Sequence, residues 1–499
     1  MEPLQLPIWD GISRAQLLES NIIAFMFDFS ESQSTATTVL GRLLGFHPAV
    51  RPPSVDLPDA AAFFSELDKF QRAAFASLKR SYQGSGDDSF CKLLAVKLAN
   101  AFAADYHFRN RHSVLVSRPV QLQMDPTNGC NLSCPSCLHT ANTSWASRFD
   151  WPEATLRLGE FGEFCDQFGP FATRIALFRD GEPLLHRRFP EFVTVAKSYL
   201  LCTLTSTNLS MPFDADALVA SGLDRLVAAI DGGSADTYAR YRRGGDFDLV
   251  LDNLRAIVRA RRDQSSFKPW LVWEFLAFEH NVHEIEVAAK LARKIGVDQF
   301  SVARPHAVEH DDPSIKVAAF APTCETLFTQ PRNWCTASER RAAARNAEGI
   351  DAVFHQSWTG RFAASGALEQ EARAHEQTCV WLYYSLTMDA ARRITPCCLP
   401  PMGLPEPRHL VYARFNGKNA SEVVNSLDFM RARRGCRSGG EPDNGLHIPA
   451  PHCVTCAESQ IAPMPPDVAG YLMSVDERRA LPPAVHAALA ACPLFAWTP

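Results

Sequence analysis

The chain has 499 residues, 46% of them hydrophobic and 21% charged, with a formal net charge of −5. That balance suits a globular protein of two or three domains with proper cores, and its slight acidity excludes nucleic-acid binding that relies on overall charge. No run of 18 or more apolar residues and no basic leader opens or interrupts the chain, so neither a membrane span nor a signal peptide is expected.

Residues 1–117 read as a helical N-terminal domain. Asp59 caps one predicted helix, with Phe63, Leu67, Phe70, Ala74 and Leu78 on one face, and a second follows Asp88 with Leu93, Leu94, Val96, Leu98 and Phe102. Neither carries a catalytic motif. From Val120 the pattern becomes strand and helix in alternation, which implies a parallel sheet. The strand candidates are 120–124, 174–178, 201–205, 226–230, 271–278 and 299–303; the intervening amphipathic stretches are 153–168, 189–199, 214–221, 234–242, 247–262 and 283–295. The first strand alternates Val120, Leu122 and Met124 with Gln121 and Gln123, so it is expected to bury one face only.

Directly after that strand comes Asp125-Pro126-Thr127-Asn128-Gly129-Cys130-Asn131-Leu132-Ser133-Cys134-Pro135-Ser136-Cys137. Three thiolates on one short loop can hold three irons of a [4Fe–4S] cube and leave the fourth open to a ligand. Zinc competes for such a set, although structural zinc prefers four closed ligands. The chain has fifteen cysteines, an odd number, in groups unlike a secreted disulfide framework. A reducing cytoplasm fits that usage.

The loop resembles the cysteine motif of the radical S-adenosylmethionine superfamily. There the open iron chelates S-adenosylmethionine, and reductive cleavage yields a 5′-deoxyadenosyl radical that abstracts a substrate hydrogen. The resemblance implies a partial (β/α)6 TIM-type barrel over residues 118–312, with metal ligands Cys130, Cys134 and Cys137 and a reductant such as flavodoxin or ferredoxin. Further motifs fall at strand ends, where parallel barrels keep their chemistry. Gly181, Glu182 and Pro183 resemble the "GGEP" element that binds the amino group of S-adenosylmethionine, with Asp180 in place of the first glycine. Ser206 and Asn208 lie in a "TNG"-like run with Leu209 for glycine. Asp231 and Arg242 resemble the "S-x-D-G…Y…R-x-G" run, with Ala229 for serine and Ser234 as the predicted helix cap. These residues are the expected cofactor binders.

Glu274, in the fifth strand, shares a face with Trp270 and Val272; if that face is the interior, it holds a carboxylate beside cofactor or substrate. Arg304, just after the sixth strand, opens a polar run that suits a polar substrate or a base. Residues 313–378 form a bridge with Cys324 and Cys335, either of which would serve as hydrogen-atom donor in an epimerase. Cys379, Cys397, Cys453 and Cys456 then follow the order of the Twitch and SPASM auxiliary-cluster domains, 17 residues separating the first two. The resemblance implies one additional [4Fe–4S] cluster in a small domain over 379–462, with Arg392 where the family often has glycine and Cys398 and Cys436 as alternative ligands. The basic stretch Arg431–Arg437 reads as a solvated face, and the tail 463–499 carries no motif.

The expected function is hydrogen abstraction from a small metabolite of sugar, aminocyclitol, nucleoside or amino-acid type, with the auxiliary cluster assisting its oxidation or modification. Two alternatives stand beside it: a peptide-modifying enzyme of the same superfamily, and a non-catalytic iron–sulfur or zinc scaffold.

Overall fold

In the computed structural model the described residues are 153–305, most of 111–139, 312–318, 324–327, 379–397 and 411–435, and scattered helical positions between 97 and 108. Most of the expected N-terminal domain, most of the bridge, Cys335, Cys398, Cys436, Cys453, Cys456 and the tail lie outside the described residues.

The expected alternation is present. In order come β1 (Gln121–Met124), α1 (Leu158–Phe168), β2 (Arg174–Ala176), α2 (Phe189–Ser198), β3 (Cys202–Thr207), α3 (Ala215–Ala220), β4 (Arg225–Ala229), α4 (Ala235–Tyr241), α5 (Phe247–Asp263), β5 (Trp270–Leu276), α6 (Ile285–Ile295) and β6 (Gln299–Ala303). Strands β1 to β6 are parallel and lie in sequence order. Crossovers between parallel neighbours are right-handed as a rule, which puts the connecting helices on one face; the parallel sheet that results is consistent with a partial barrel whose interior is the other face. Local sequence explains the helices. Asp214, Ser234 and Asp246 cap α3, α4 and α5 by accepting the amide of the third residue on. Helix α5 turns Phe247, Val250, Leu251, Leu254, Ile257 and Ala260 to the sheet at three- and four-residue steps.

Alternation along the strands separates the two faces. On β5, Leu271, Trp273 and Phe275 are fully buried in the core under the helices, whereas Trp270, Glu274 and Leu276 are partly open. The register carries the inner face across the sheet: Gln123 pairs with Ala176, Ser206 with Val227, Ala229 with Glu274, and Glu274 with Ser301.

The sheet does not stop at six strands. Among the described residues, β7 (Cys324–Leu327) pairs antiparallel with β6. After α7 (Trp381–Tyr384), β8 (Ser385–Met388) pairs parallel with β1 on the side away from β2, followed by antiparallel β9 (Arg393–Thr395) and β10 (Ala413–Arg414). Helices α8 (Ala420–Val424) and α9 (Leu427–Gly435) close this segment. The block that begins at Cys379 is therefore continuous with the barrel sheet. It also corrects the expectation for β1: with β8 and β2 on either side, all four residues are buried, including Gln121 and Gln123.

Arg433 corrects a second expectation. It is 1% exposed, not solvated, and donates to the carbonyls of Leu382, Val424 and Ser113 at 2.9, 2.9 and 3.1 Å. A guanidinium has five donors in a rigid fork, so one side chain ties α9 to α7 and to the segment before β1. Among the described residues no helix is long and apolar enough to cross a membrane.

Candidate active site

The cysteine loop leaves the C-terminal end of β1 and is held from three sides. Ser133 N–H donates to Arg243 O at 3.0 Å, Glu182 N–H to Gly129 O at 2.8 Å, and Asn131 Nδ2 to Ser210 O at 2.8 Å. The sulfurs of Cys130, Cys134 and Cys137 pack among Leu132, Tyr241, Leu276, Phe278 and Ile315. Burial pushes the Cys130 thiol up to about 11 and the Cys137 thiol up to about 12. It also raises Cys134, against which the Arg242 guanidinium acts. Among the described residues no three His, Cys, Asp or Glu side chains form a single-ion site. A cube takes its three thiolates on three separate irons, so one buried and two half-buried thiols spread along one loop fit that group. Iron would have to displace their protons.

Gly181 packs its backbone onto this loop. A Cβ there would fall 2.0 Å from Thr127 O, a position only glycine allows. Glu182, 3% exposed, joins β2 to β3: Oε1 accepts from Leu184 N at 3.0 Å and Thr207 Oγ1 at 2.6 Å, and Oε2 from Asn208 N at 2.7 Å. A carboxylate has about four acceptor sites, so this leaves one to spare. Burial raises its pKa, and the donors from Asn208, Thr207 and Leu184 oppose the shift. Pro183 starts the short 3-10 turn that follows. Asn208 donates to Asn131 Oδ1 at 3.0 Å, and its Nδ2 lies 4.0 Å from Cys130 Sγ. Ser206 is half-buried on the inner face, away from that contact.

On the far flank Asp231 and Arg242 form a pair, Nε to Oδ2 at 2.6 Å, with Asp231 fully buried and its Oδ1 taken by Leu276 N at 2.8 Å. Both Asp231 oxygens thus serve the protein, and the carboxylate aims Arg242 at the Cys134 side of the loop. Glu274 is half-buried and shares the face of Ala229 and Ser301. Arg304 is exposed. Cys324 pairs through its backbone with Val302.

Sequence reading missed a second layer. Asp125 is fully buried and accepts the Asp180 amide on both oxygens, at 3.1 and 3.0 Å. Burial, then the nearby Asp180 carboxylate, pushes it well up. Arg179 pairs with the Asp180 carboxylate at 3.0 Å and donates to Thr395 Oγ1 on β9 at 3.0 Å, and Thr395 Oγ1 donates to Cys397 O at 3.1 Å. The only sequence signal was Asp180 itself, a charge where the resembling motif has glycine. The hairpin geometry also places Cys397. Thr395 pairs with Thr387, so the chain returns Cys397 toward the start of β8, where the α7 turn departs from Cys379.

Two departures from glycine keep glycine's conformation. Leu209 has φ of 54° and Arg392 φ of 63°, both left-handed. Leu209 is fully buried. Arg392 pairs with Glu160 and Glu163 at 3.5 and 3.3 Å and lies over the Phe415 ring.

Residues 124–270 match the family model of the Radical SAM superfamily. The chain carries a radical SAM domain. That family implies a [4Fe–4S] cluster and S-adenosylmethionine. Two curated relatives match part of the chain. An AdoMet-dependent heme synthase of Methanosarcina barkeri is 26% identical over 191 residues, 38% of this chain and 51% of that protein. A probable GTP 3′,8-cyclase of Methanocaldococcus jannaschii is 25% identical over 177 residues, 35% and 55% respectively. The chain spans about half the length of these relatives. Among solved structures, Streptococcus suis SuiB bound to S-adenosylmethionine aligns with a TM-score of 0.44 and 14% identity, over 77% of this chain and 81% of that one.

Proposed function

We propose that this protein is a radical S-adenosylmethionine enzyme that removes a hydrogen atom from a small metabolite and modifies it with the help of one auxiliary cluster. The observation that carries the reading is the cysteine loop at the end of β1, held between the Glu182–Asn208 clamp and the Asp231–Arg242 pair. Cys130, Cys134 and Cys137 would hold the cluster. When bound there, S-adenosylmethionine supplies a 5′-deoxyadenosyl radical.

The chain's own residues do the rest. Gly181, Glu182 and Pro183 shape the rim where an amino group would sit, with the spare acceptor site on Glu182 available to it. Asn208 and Ser206 line the next strand tip, and Arg242, aimed by Asp231, offers a cation beside the loop. Glu274 holds a carboxylate on the interior face, and Arg304 opens the polar run after β6 that would meet a polar substrate. Cys324 or Cys335 is the hydrogen-atom donor if the reaction is an epimerisation. Cys379, Cys397, Cys453 and Cys456 would hold the auxiliary cluster, whose use is to take an electron from the substrate and complete an oxidation. A small reductant protein of the flavodoxin or ferredoxin type supplies the first electron.

The test is anaerobic reconstitution of wild type and of the Cys130/Cys134/Cys137→Ala variant. The expected result is about eight irons against about four, with 5′-deoxyadenosine formed by wild type alone. Zinc in place of iron, or full iron without cleavage under a strong reductant, would overturn the reading.

A further inference from the structure

The row of side chains that β1, β8 and β9 turn to the interior holds two polar atoms that the protein leaves unmatched. Gln123 Nε2 donates to Phe178 O at 3.1 Å, which fixes the amide. Its Oε1 is buried and has no hydrogen-bond partner. Thr387 is its direct neighbour in the β1–β8 register, is fully buried, and has an Oγ1 equally without a partner. The next member of the row, Thr395, is matched on both sides by Arg179 and Cys397. Buried polar groups are nearly always hydrogen-bonded, and an exception calls for an explanation. Two exceptions side by side, one an obligate acceptor and the other a hydroxyl, describe a place for a donor.

The charges nearby say what kind of donor. At this end of the barrel Arg179 is matched by Asp180, Arg242 by Asp231, Arg243 by Asp312 and Arg393 by Asp389. Arg304 is exposed, and it follows Val302, on the helix-covered face of β6, in the alternation. Toward this end of the strands the described interior positions add two hydroxyls, Ser206 and Ser301, and one carboxylate, Glu274; Arg174 and Arg225 share that face at the opposite end, where they reach Gln121 and Gln299. That set suits hydroxyl and ammonium groups and offers little to a phosphate, which recruits arginine and lysine.

We propose that Gln123 Oε1 and Thr387 Oγ1 bind a hydroxyl or ammonium group of an unphosphorylated polyol or amino-polyol lying on the interior face. This rests on the radical reading of the adjoining loop, which leaves the same strand β1.

Glucosamine is the probe, with GTP as the phosphorylated contrast. Saturation-transfer NMR is run anaerobically on reconstituted full-length protein with S-adenosylmethionine, for wild type, Gln123→Leu, Thr387→Val and Thr387→Ser. Iron content and urea denaturation confirm that each variant is folded. Glucosamine is expected to bind wild type and Thr387→Ser alike, and about tenfold more weakly to each apolar variant, as the loss of one hydrogen bond implies. GTP binding, if any, is expected not to change. No glucosamine binding, equal binding to all four proteins, or GTP binding weakened by the apolar variants would overturn the assignment. Failure of wild type to form 5′-deoxyadenosine would sink the radical reading alone, because the NMR reports occupancy and not turnover.

Discussion

The two ends of the strands bury charge in opposite ways. At the N-terminal end Asp224 is fully buried and over-supplied: it takes Lys197 and Lys268, both at 2.5 Å, and the amide and hydroxyl of Thr203. Asp298 beside it takes Arg261 and the Leu271 amide. At the C-terminal end Asp180 and Asp231 each have a cation, but Asp125 and Glu182 are held by amides and a hydroxyl alone, and these groups surround a loop of three thiols. Redundantly paired charge marks the end that holds the fold; carboxylates held by hydrogen bonds alone mark the end beside the thiols.

The largest effect should come from breaking the supporting end. Asp224→Ala strands two buried ammonium groups and should cost about 3–5 kcal/mol in urea denaturation. The fraction that remains folded should bind S-adenosylmethionine as wild type does. A loss of cofactor affinity in that folded fraction would break the division of labour between the ends. At the other end Arg242→Gln should lower 5′-deoxyadenosine formation by about 10- to 100-fold, the range seen when a residue supporting a metal site is removed. Equal activity would show that Arg242 only packs.

Acid should separate the ends as well. Burial alone would raise Asp224, but Lys197 and Lys268 outweigh it and bring its pKa down to about 2. A carboxylate held lower in the folded state than in the unfolded one stabilises at all higher pH. Its contribution, about 2 kcal/mol, is complete above about pH 4 and lost as pH falls toward 2. Denaturation midpoints across that window should fall in wild type and stay flatter in Asp224→Asn. The smallest effects belong to positions where two terms oppose. Arg392→Gly removes a left-handed side chain, worth about 1 kcal/mol, and also its ion pairs with Glu160 and Glu163, so the midpoint should move by less than about 1 kcal/mol. Thr387→Val should raise stability slightly, since it removes an unmatched hydroxyl without changing shape; a marked loss would mean the hydroxyl already has a protein partner.

The barrel was legible because it is local. Strand and helix periods, Ser234 as a cap and the six-strand order can all be read within windows of twenty residues. The cysteine loop and Gly181 were legible as motifs, and the close approach to Thr127 explains why glycine is needed. What could not be read is what depends on pairing between distant segments. Gln121 and Gln123 look solvent-facing until β8, 264 residues later than Gln121's own position, covers their flank. The Gln123–Thr387 pair exists only in that register, and Arg179 meets Thr395 only across the β1–β8 seam. Asp231 and Arg242 were singled out separately; that each is the other's partner follows from the turn between β4 and α4.

The place of β8 in the sheet has a consequence for how the molecule can be divided. A cut after residue 312 would not trim an appendage. It would strip the neighbour from β1 and bare a row of backbone donors and acceptors on the strand that leads into the cysteines. A bared edge of that kind pairs with other chains. The cysteine loop and the described segment that begins at Cys379 must therefore be handled in the laboratory as one indivisible piece.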